Sequence, residues 1–352
     1  MKYGRHQIDK AGEIIMSAKS NEEYDEAMQK INEWRTLHLI ALDNLQNEVL
    51  PLLNQSNITI ALTSRRLKRI TSILYKLDIN PEMRLGGMQD IGGFRIVVND
   101  IEALQSAKIV LTEQVPQSFD LVKIMDYIEN PKESGYRSIH FIYKYKSADE
   151  NTNGAKVELQ IRTKLQHSWA MAVETAGLIT RTPLKSSMGS DEWLDFFKIT
   201  SSLLAIKEKQ PILKAHMEKE YDMYCLMKLL YEANIKFNHS DTLKALSVSG
   251  IHAKNEKFKN GYYILNIDFQ SKIVKIRAFS KNDESEASTA YSELEKKVTD
   301  ERNAVVLVSV PKMKELQEAY PSYFLNTSEF IAAIDTMMKN CKRLKLVPLN
   351  KE

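Results

Sequence analysis

The chain has 352 residues, 43% hydrophobic and 27% charged, which allows two or three domains and a substantial core. Its net charge of +3 is too small to assign a polyanionic partner, and Cys225 and Cys341 give neither a disulfide framework nor a metal pattern. No apolar run approaches the roughly 20 residues of a membrane helix, and the N-terminus lacks the apolar stretch of a secretion signal. The expected setting is therefore a reduced cytoplasm with no membrane partner.

Residues 7–53 read as helical: Leu37, Ile40, Ala41, Leu45, Val49 and Leu52 recur every three to four positions, and Pro51 is placed to break the helix. The stretch LTSRRLKRITSILYKL (62–77) also reads as helix, with Arg66, Arg69 and Lys76 roughly on one face and Ile70, Ile73, Leu74 and Leu77 inward. Strands are expected at 94–98, 119–125, 136–146 and 156–162, and helices at 101–111 and from Thr163 to about Ile179. In the last of these strands Val157, Leu159 and Ile161 alternate with Glu158, Gln160 and Arg162. That is the period-two pattern of a half-buried strand, one face in a core and the other presenting polar groups. A helical stretch follows at 191–233.

Composition then shifts near residue 240. Residues 262–267 and 272–279 read as paired strands, the polar segment 280–288 leads into a helix at 287–299, and 304–310 is another strand. Short helices near 312–319 and 328–340 finish the chain. The expected fold class is α/β (α+β), a mixed sheet flanked by helices. The expected divisions are an N-terminal helical region (1–58), a central α/β domain (59–182), a helical segment (183–238) and a separate small α+β domain (239–352).

Four motifs follow one another inside the central region. They are Arg66-x-Lys68-x3-Ser72-Ile73-x2-Lys76, then Asp90-Ile91-Gly92-Gly93-Phe94-Arg95, then Asp126-Tyr127-Ile128 through Gly135-Tyr136-Arg137-Ser138-Ile139-His140, and finally Glu158-x-Gln160-Ile161-Arg162-Thr163. In this order and spacing they resemble the synthetase domain of the RelA/SpoT family, over about a third of the chain. Those enzymes move pyrophosphate from ATP to the 3′-hydroxyl of GDP or GTP, making the alarmones ppGpp and pppGpp. The resemblance implies a nucleotidyltransferase-like sheet. Trp169, Ala170 and Glu174 look closer to small, hydrolase-free synthetases, and Thr175 stands where those commonly have a histidine. No histidine is followed by aspartate, so the hydrolase domain of long family members has no signature here. Gly87-x4-Gly92 is followed by Gly93-Phe94 and is not a Walker A loop.

Pyrophosphate transfer needs a metal for the triphosphate, cations for the phosphates and a base for the attacking hydroxyl. Asp90 and Glu158 are the candidate ligands for Mg²⁺, which favours carboxylate oxygens. The resemblance implies the same pair and gives Glu158 a second role in activating the hydroxyl. Arg66, Lys68, Ser72, Lys76 and Arg95 are the candidate ATP and phosphate residues. On the acceptor side stand Lys132, Tyr136, Arg137, His140, Gln160 and Arg162, with Tyr136 offering a ring for base stacking. Gly135 suits a close backbone approach or an unusual dihedral.

The implied partners are ATP as donor and GDP or GTP as acceptor. Some small family members are toxins that pyrophosphorylate the tRNA 3′ end, and an adenine nucleotide is a further acceptor. For tRNA, the basic residues Lys339, Lys342, Arg343, Lys345 and Lys351 offer a contact surface. A non-catalytic nucleotide sensor is the reading from another class. For residues 239–352, regulation, assembly into a homo-oligomer and built-in inhibition all stay open, as does an antitoxin partner.

Overall fold

The computed structural model describes residues 1–17, 20–180, 184, 189–244, 250–253, 261–268, 271, 273–298, 303–310, 315–320 and 327–346. The chain opens with helices α1 (Arg5–Ser17) and α2 (Asn21–Gln55). Ser20 caps α2 by accepting from the Glu23 amide at 3.3 Å. Pro51 does not end this helix, which runs on to Gln55. Val49 and Leu53, fully buried on either side, hold it against the one hydrogen bond that proline removes.

The helix expected at 62–77 divides into two elements. Ile60–Leu67 is strand β1, and helix α3 begins only at Ile70 and ends at Asp78. Nothing in the local sequence forbids a helix at 62–67. The strand is imposed by neighbours that satisfy its backbone on both sides, so pairing overrides propensity. Then follow β2 (Gly92–Val98), α4 (Ile101–Glu113), β3 (Phe119–Asp126), β4 (Ile139–Tyr145), β5 (Lys156–Thr163) and α5 (Lys164–Thr180). The helical stretch at 191–233 is three helices, α6 (Asp191–Lys207), α7 (Lys214–Met217) and α8 (Met223–Phe237). Lys209 and Glu220, both at φ 54°, turn the chain between them. The rest comprises α9 (His239–Lys244), β6 (Gly250–Ala253), β7 (Tyr262–Asp268), β8 (Ile273–Phe279), α10 (Glu284–Glu295), β9 (Asn303–Ser309), α11 (Leu316–Ala319) and α12 (Ser328–Arg343).

All nine described strands form one mixed sheet in the order β3-β4-β5-β2-β1-β9-β7-β8-β6. β2 and β5 run parallel, and β1 pairs antiparallel with β2 on one side and β9 on the other. One face of the sheet carries Phe94, Phe141 and Leu159 into a core with Leu42, Leu45 and Val49 of α2 and Leu104 of α4. Tyr262, Ile264 and Tyr291, from beyond residue 239, belong to that same core. A second core joins Trp169, Phe197 and Leu230 to Phe330 and Ile334. The described elements beyond residue 239, expected as a separate unit, thus share a sheet and two cores with elements before it. A composition shift marks a change of local chemistry, and cross-strand pairing between distant segments leaves no trace in it. The expected division at 182/183 falls outside the described residues, as does Lys351. Among the described residues no helix is long and apolar enough to cross a membrane.

Candidate active site

Strand alternation and register gather the site. Arg66 of β1 lies opposite Gly93 of β2, which lies opposite Glu158 of β5. Arg95 lies opposite Gln160, which lies opposite His140 of β4. Arg66, Arg95, His140, Glu158, Gln160 and Arg162 therefore share one face of the sheet, opposite the face that holds Phe94 and Leu159. This polar face is not open as the half-buried pattern suggested: Glu158 is 8% exposed and Arg162 0%. Helix α5 and the short helix α11 close over it.

Glu158 is the third residue of β5 and Asp90 lies two residues before its parallel neighbour β2, and the two carboxylates repel one another. Lys68 Nζ is 2.9 Å from Asp90 Oδ2, and Lys76 Nζ is 3.0 and 3.1 Å from its two oxygens. Burial pushes the Asp90 carboxyl up, but Lys68 and Lys76 overcome this and hold it at about 2. Burial also lowers the Lys68 amine, and Asp90 restores it only in part. Both partners shift down because one carboxylate faces two ammonium groups, leaving this corner with an excess of positive charge. Ser72 is half-buried one turn before Lys76 on α3.

Glu158 is held from the other side. His140 Nδ1 lies 2.8 Å from its Oε1, and Gln160 Nε2 donates to its Oε2 at 2.5 Å. Burial raises its carboxyl, but His140 and Gln160 leave it below the usual range. His140 Nε2 in turn shares a 2.8 Å hydrogen bond with the Tyr136 hydroxyl. Lys132 Nζ stands 4.6 Å from the Tyr127 ring centroid and 5.5 Å from that of Tyr136.

Two expected acceptor residues are placed differently. Tyr136 is only 4% exposed and packs in the Trp169 and Phe197 core, so its ring is not an open stacking platform. Tyr127, half-buried beside it, presents more of its ring. Arg137 leaves the site: its Nε donates to Ser201 Oγ at 3.2 Å and its Nη1 to the Ile128 carbonyl at 3.3 Å. It lies just before β4, in the segment 135–138 that carries no regular structure, and the Ser201 hydroxyl and Ile128 carbonyl draw it away. Gly135, at φ 95°, bears out its expected role. A Cβ there would meet Ser201 Cβ at 2.9 Å and Trp169 Cζ2 at 3.0 Å.

A buried basic cluster lies next to the carboxylates. Burial, together with the charge of Arg95, lowers the Arg162 guanidinium to about 10. Arg162 Nη2 donates to Gln160 at 3.3 Å, whereas its Nε and Nη1, and the Nε of Arg95, have no partner among the described residues. His167 of α5 is held well below its ordinary value by burial and by both arginines. Sequence reasoning missed the cover of this cluster. The Ala319 carbonyl accepts from Arg95 Nη1 at 3.2 Å, and the Tyr320 ring lies 5.9 Å from the Arg95 guanidinium. The Tyr320 hydroxyl donates to the Arg65 carbonyl at 2.8 Å. No motif links residues 319–320 to residue 95, so only the fold reveals the contact.

Asp90 and Glu158 fit a magnesium ion brought in with a nucleotide. Mg²⁺ characteristically takes one or two carboxylates plus phosphate oxygens and water.

Comparison with known proteins agrees with the motifs. Residues 65–177 match the family model described as a region found in RelA / SpoT proteins. The GTP pyrophosphokinase YjbM of Bacillus subtilis is 37% identical over 110 residues, covering 30% of this chain and 50% of that protein. The chain thus spans half the length of that relative. The GTP pyrophosphokinase YwaC of the same organism is 29% identical over 160 residues, covering 42% of this chain and 75% of that protein. The crystal structure of small alarmone synthetase 1 from Bacillus subtilis bound to its product pppGpp aligns at a TM-score of 0.42 and 24% identity, covering 49% of this chain and 90% of that one. The match to the region found in RelA / SpoT proteins takes in 113 of the 352 residues, 65–177.

Proposed function

We propose that this protein transfers pyrophosphate from ATP to the 3′-hydroxyl of GDP or GTP. The observation that carries this reading is that Glu158, Arg66, Arg95 and Arg162 share one sheet face, while Asp90, held by Lys68 and Lys76 just before β2, lies close enough for its charge to act on Glu158. A site so rich in buried positive charge suits a polyanion. The unpartnered N–H groups of Arg95 and Arg162 are donors for phosphate or purine acceptors.

In the reaction the bond between the α-phosphate's bridging oxygen and the β-phosphorus breaks, and AMP leaves with that oxygen. A bond forms from the acceptor 3′-oxygen to the β-phosphorus, and the hydroxyl proton passes to Glu158. Its lowered carboxyl is ionised at neutral pH and able to accept that proton. His140 and Gln160 fix its two oxygens, which leaves little reorganisation for the transition state. Lys68 and Lys76, which pair with Asp90, are placed to bind the phosphates of the donor. Asp90 and Glu158 would hold a magnesium ion, which would supply charge neutralisation to the transferring phosphates.

A second reading keeps the chemistry and changes the acceptor to the tRNA 3′ end. Lys339, Lys342, Arg343 and Lys345 are all exposed at the end of α12, a surface suited to RNA phosphates. Incubation with labelled ATP and, separately, GDP, GTP, ADP and deacylated tRNA identifies the acceptor. Glu158→Gln, which removes charge without volume, is expected to abolish labelling of whichever acceptor reacts. Near-normal turnover in that variant removes Glu158 from the mechanism.

A further inference from the structure

The turn between β1 and α3 carries Lys68, and α3 carries Lys76, the two cations that hold Asp90. This turn is gripped by side chains from far along the chain. Arg35 of α2, 1% exposed, donates through Nη2 to the Lys68 carbonyl at 2.8 Å and through Nη1 to Glu295 Oε2 at 3.0 Å. The other oxygen of Glu295 accepts from the Ile70 amide at 2.9 Å. Tyr291 bridges the pair, its hydroxyl 3.0 Å from Arg35 Nη2 and 2.6 Å from Glu295 Oε1.

Ile70 is the first residue of α3, and Arg69 before it supplies no side-chain cap. Glu295, 225 residues away, satisfies that helix terminus instead and places negative charge at the positive end of its dipole. The carbonyl at 68 and the amide at 70 are thus both fixed by one buried network. Buried ion pairs of this kind are weak sources of stability, since an apolar replacement of similar volume is often as stable. Their value lies in fixing a single geometry.

Resting on the reading above, we propose that Arg35, Tyr291 and Glu295 are positioning residues for the donor-phosphate side of the site, setting Lys68 and the start of α3 relative to Asp90. On this view α10, beyond the RelA/SpoT region, is part of the machinery that shapes the active site. None of the three touches a reacting atom.

The test compares the wild type with the double variant Arg35→Met/Glu295→Leu and with Tyr291→Phe, each as the full chain. The double variant removes both charges at once, so no uncompensated ion is buried and the melting temperature is expected within about 5 °C of the wild type. Positioning predicts a kcat for pyrophosphate transfer roughly 10- to 100-fold lower, with the acceptor KM unchanged. It also predicts roughly tenfold faster amide exchange at Ile70, which has lost its acceptor. A wild-type kcat in the folded double variant overturns the proposal, and so does unchanged exchange at Ile70. Should the double variant fail to fold, Tyr291→Phe keeps the ring and removes only the bridging hydroxyl. A kcat about three- to tenfold lower at unchanged acceptor KM is then expected, and an unaltered kcat overturns the proposal. A wild type inactive with every acceptor sinks the functional reading instead. Exchange at Ile70, which needs no turnover, then still reads whether Glu295 holds the start of α3, and unchanged exchange overturns the proposal.

Discussion

Asp90 is the residue whose environment does most to set the chemistry. Its carboxyl lies at about 2 rather than 3.8, so its ion pairs stabilise the fold fully above pH 3.8 and are lost as the pH falls through about 2. The shift corresponds to about 2 kcal/mol. Asp90→Asn should therefore be less stable than the wild type at pH 6, with the gap closing between about pH 4 and pH 2. Chemical denaturation across that range measures it, and a gap that stays constant removes the two lysines as its source. Tyr136 illustrates the opposite case, in which burial changes a role. Tyr136→Ala opens a cavity in the Trp169 and Phe197 core and should cost about 3–5 kcal/mol of stability, read by urea unfolding. Tyr136→Phe should cost about 1 kcal/mol, the share of its hydrogen bond to His140. Equal, small effects from both substitutions would mean that the ring is more accessible than the structure places it.

Among the elements, α11 has the clearest consequence. Four residues long, it brings the Ala319 carbonyl onto Arg95, with Tyr320 just beyond it. A nucleotide that uses Arg95 competes with this contact. Tyr320→Ala is expected to tighten ATP binding, as titration calorimetry would register, while lowering the melting temperature through loss of a buried ring. Weaker ATP binding would instead show that Tyr320 shapes the donor pocket. Helix α3 makes a related point. Its start is set by Glu295 rather than by any nearby residue, which is why a local reading merged it with the preceding strand.

At the scale of the whole molecule, β1 is an inner strand because β9 pairs with it at Arg65 and Arg66. Cutting after residue 238 removes β9, the Tyr262 and Tyr291 part of one core and the Phe330 and Ile334 part of the other. It also leaves Arg35 buried without Glu295. The fragment 1–238 is expected to be insoluble, because an exposed strand edge and two opened cores favour association. A soluble, monomeric fragment that binds ATP would show that the C-terminal part is separable. The same pairing ties residues 65–177, which match the region found in RelA / SpoT proteins, to described strands and cores beyond residue 239.

Part of the layout of the candidate site was legible beforehand. The period-two alternation at 157–162 gave both the strand and its polar face, and the four motifs named Asp90, Glu158, Lys68 and Lys76, which the fold brings together. These signals are local: a strand's faces follow from backbone geometry, and motif spacing records which side chains one backbone path can deliver. What tertiary structure decided is everything that depends on a distant partner. Residues 62–67 became a strand because β2 and β9 flank them, Pro51 was carried inside a helix by the burial of Val49 and Leu53, and Tyr136 was enclosed by α5 and α6. The grip of Glu295 on Ile70 and the cover of Ala319 on Arg95 join residues more than 220 positions apart. Contacts at that separation are chosen by packing and by the need to satisfy buried polar groups, and no window along the sequence holds both partners.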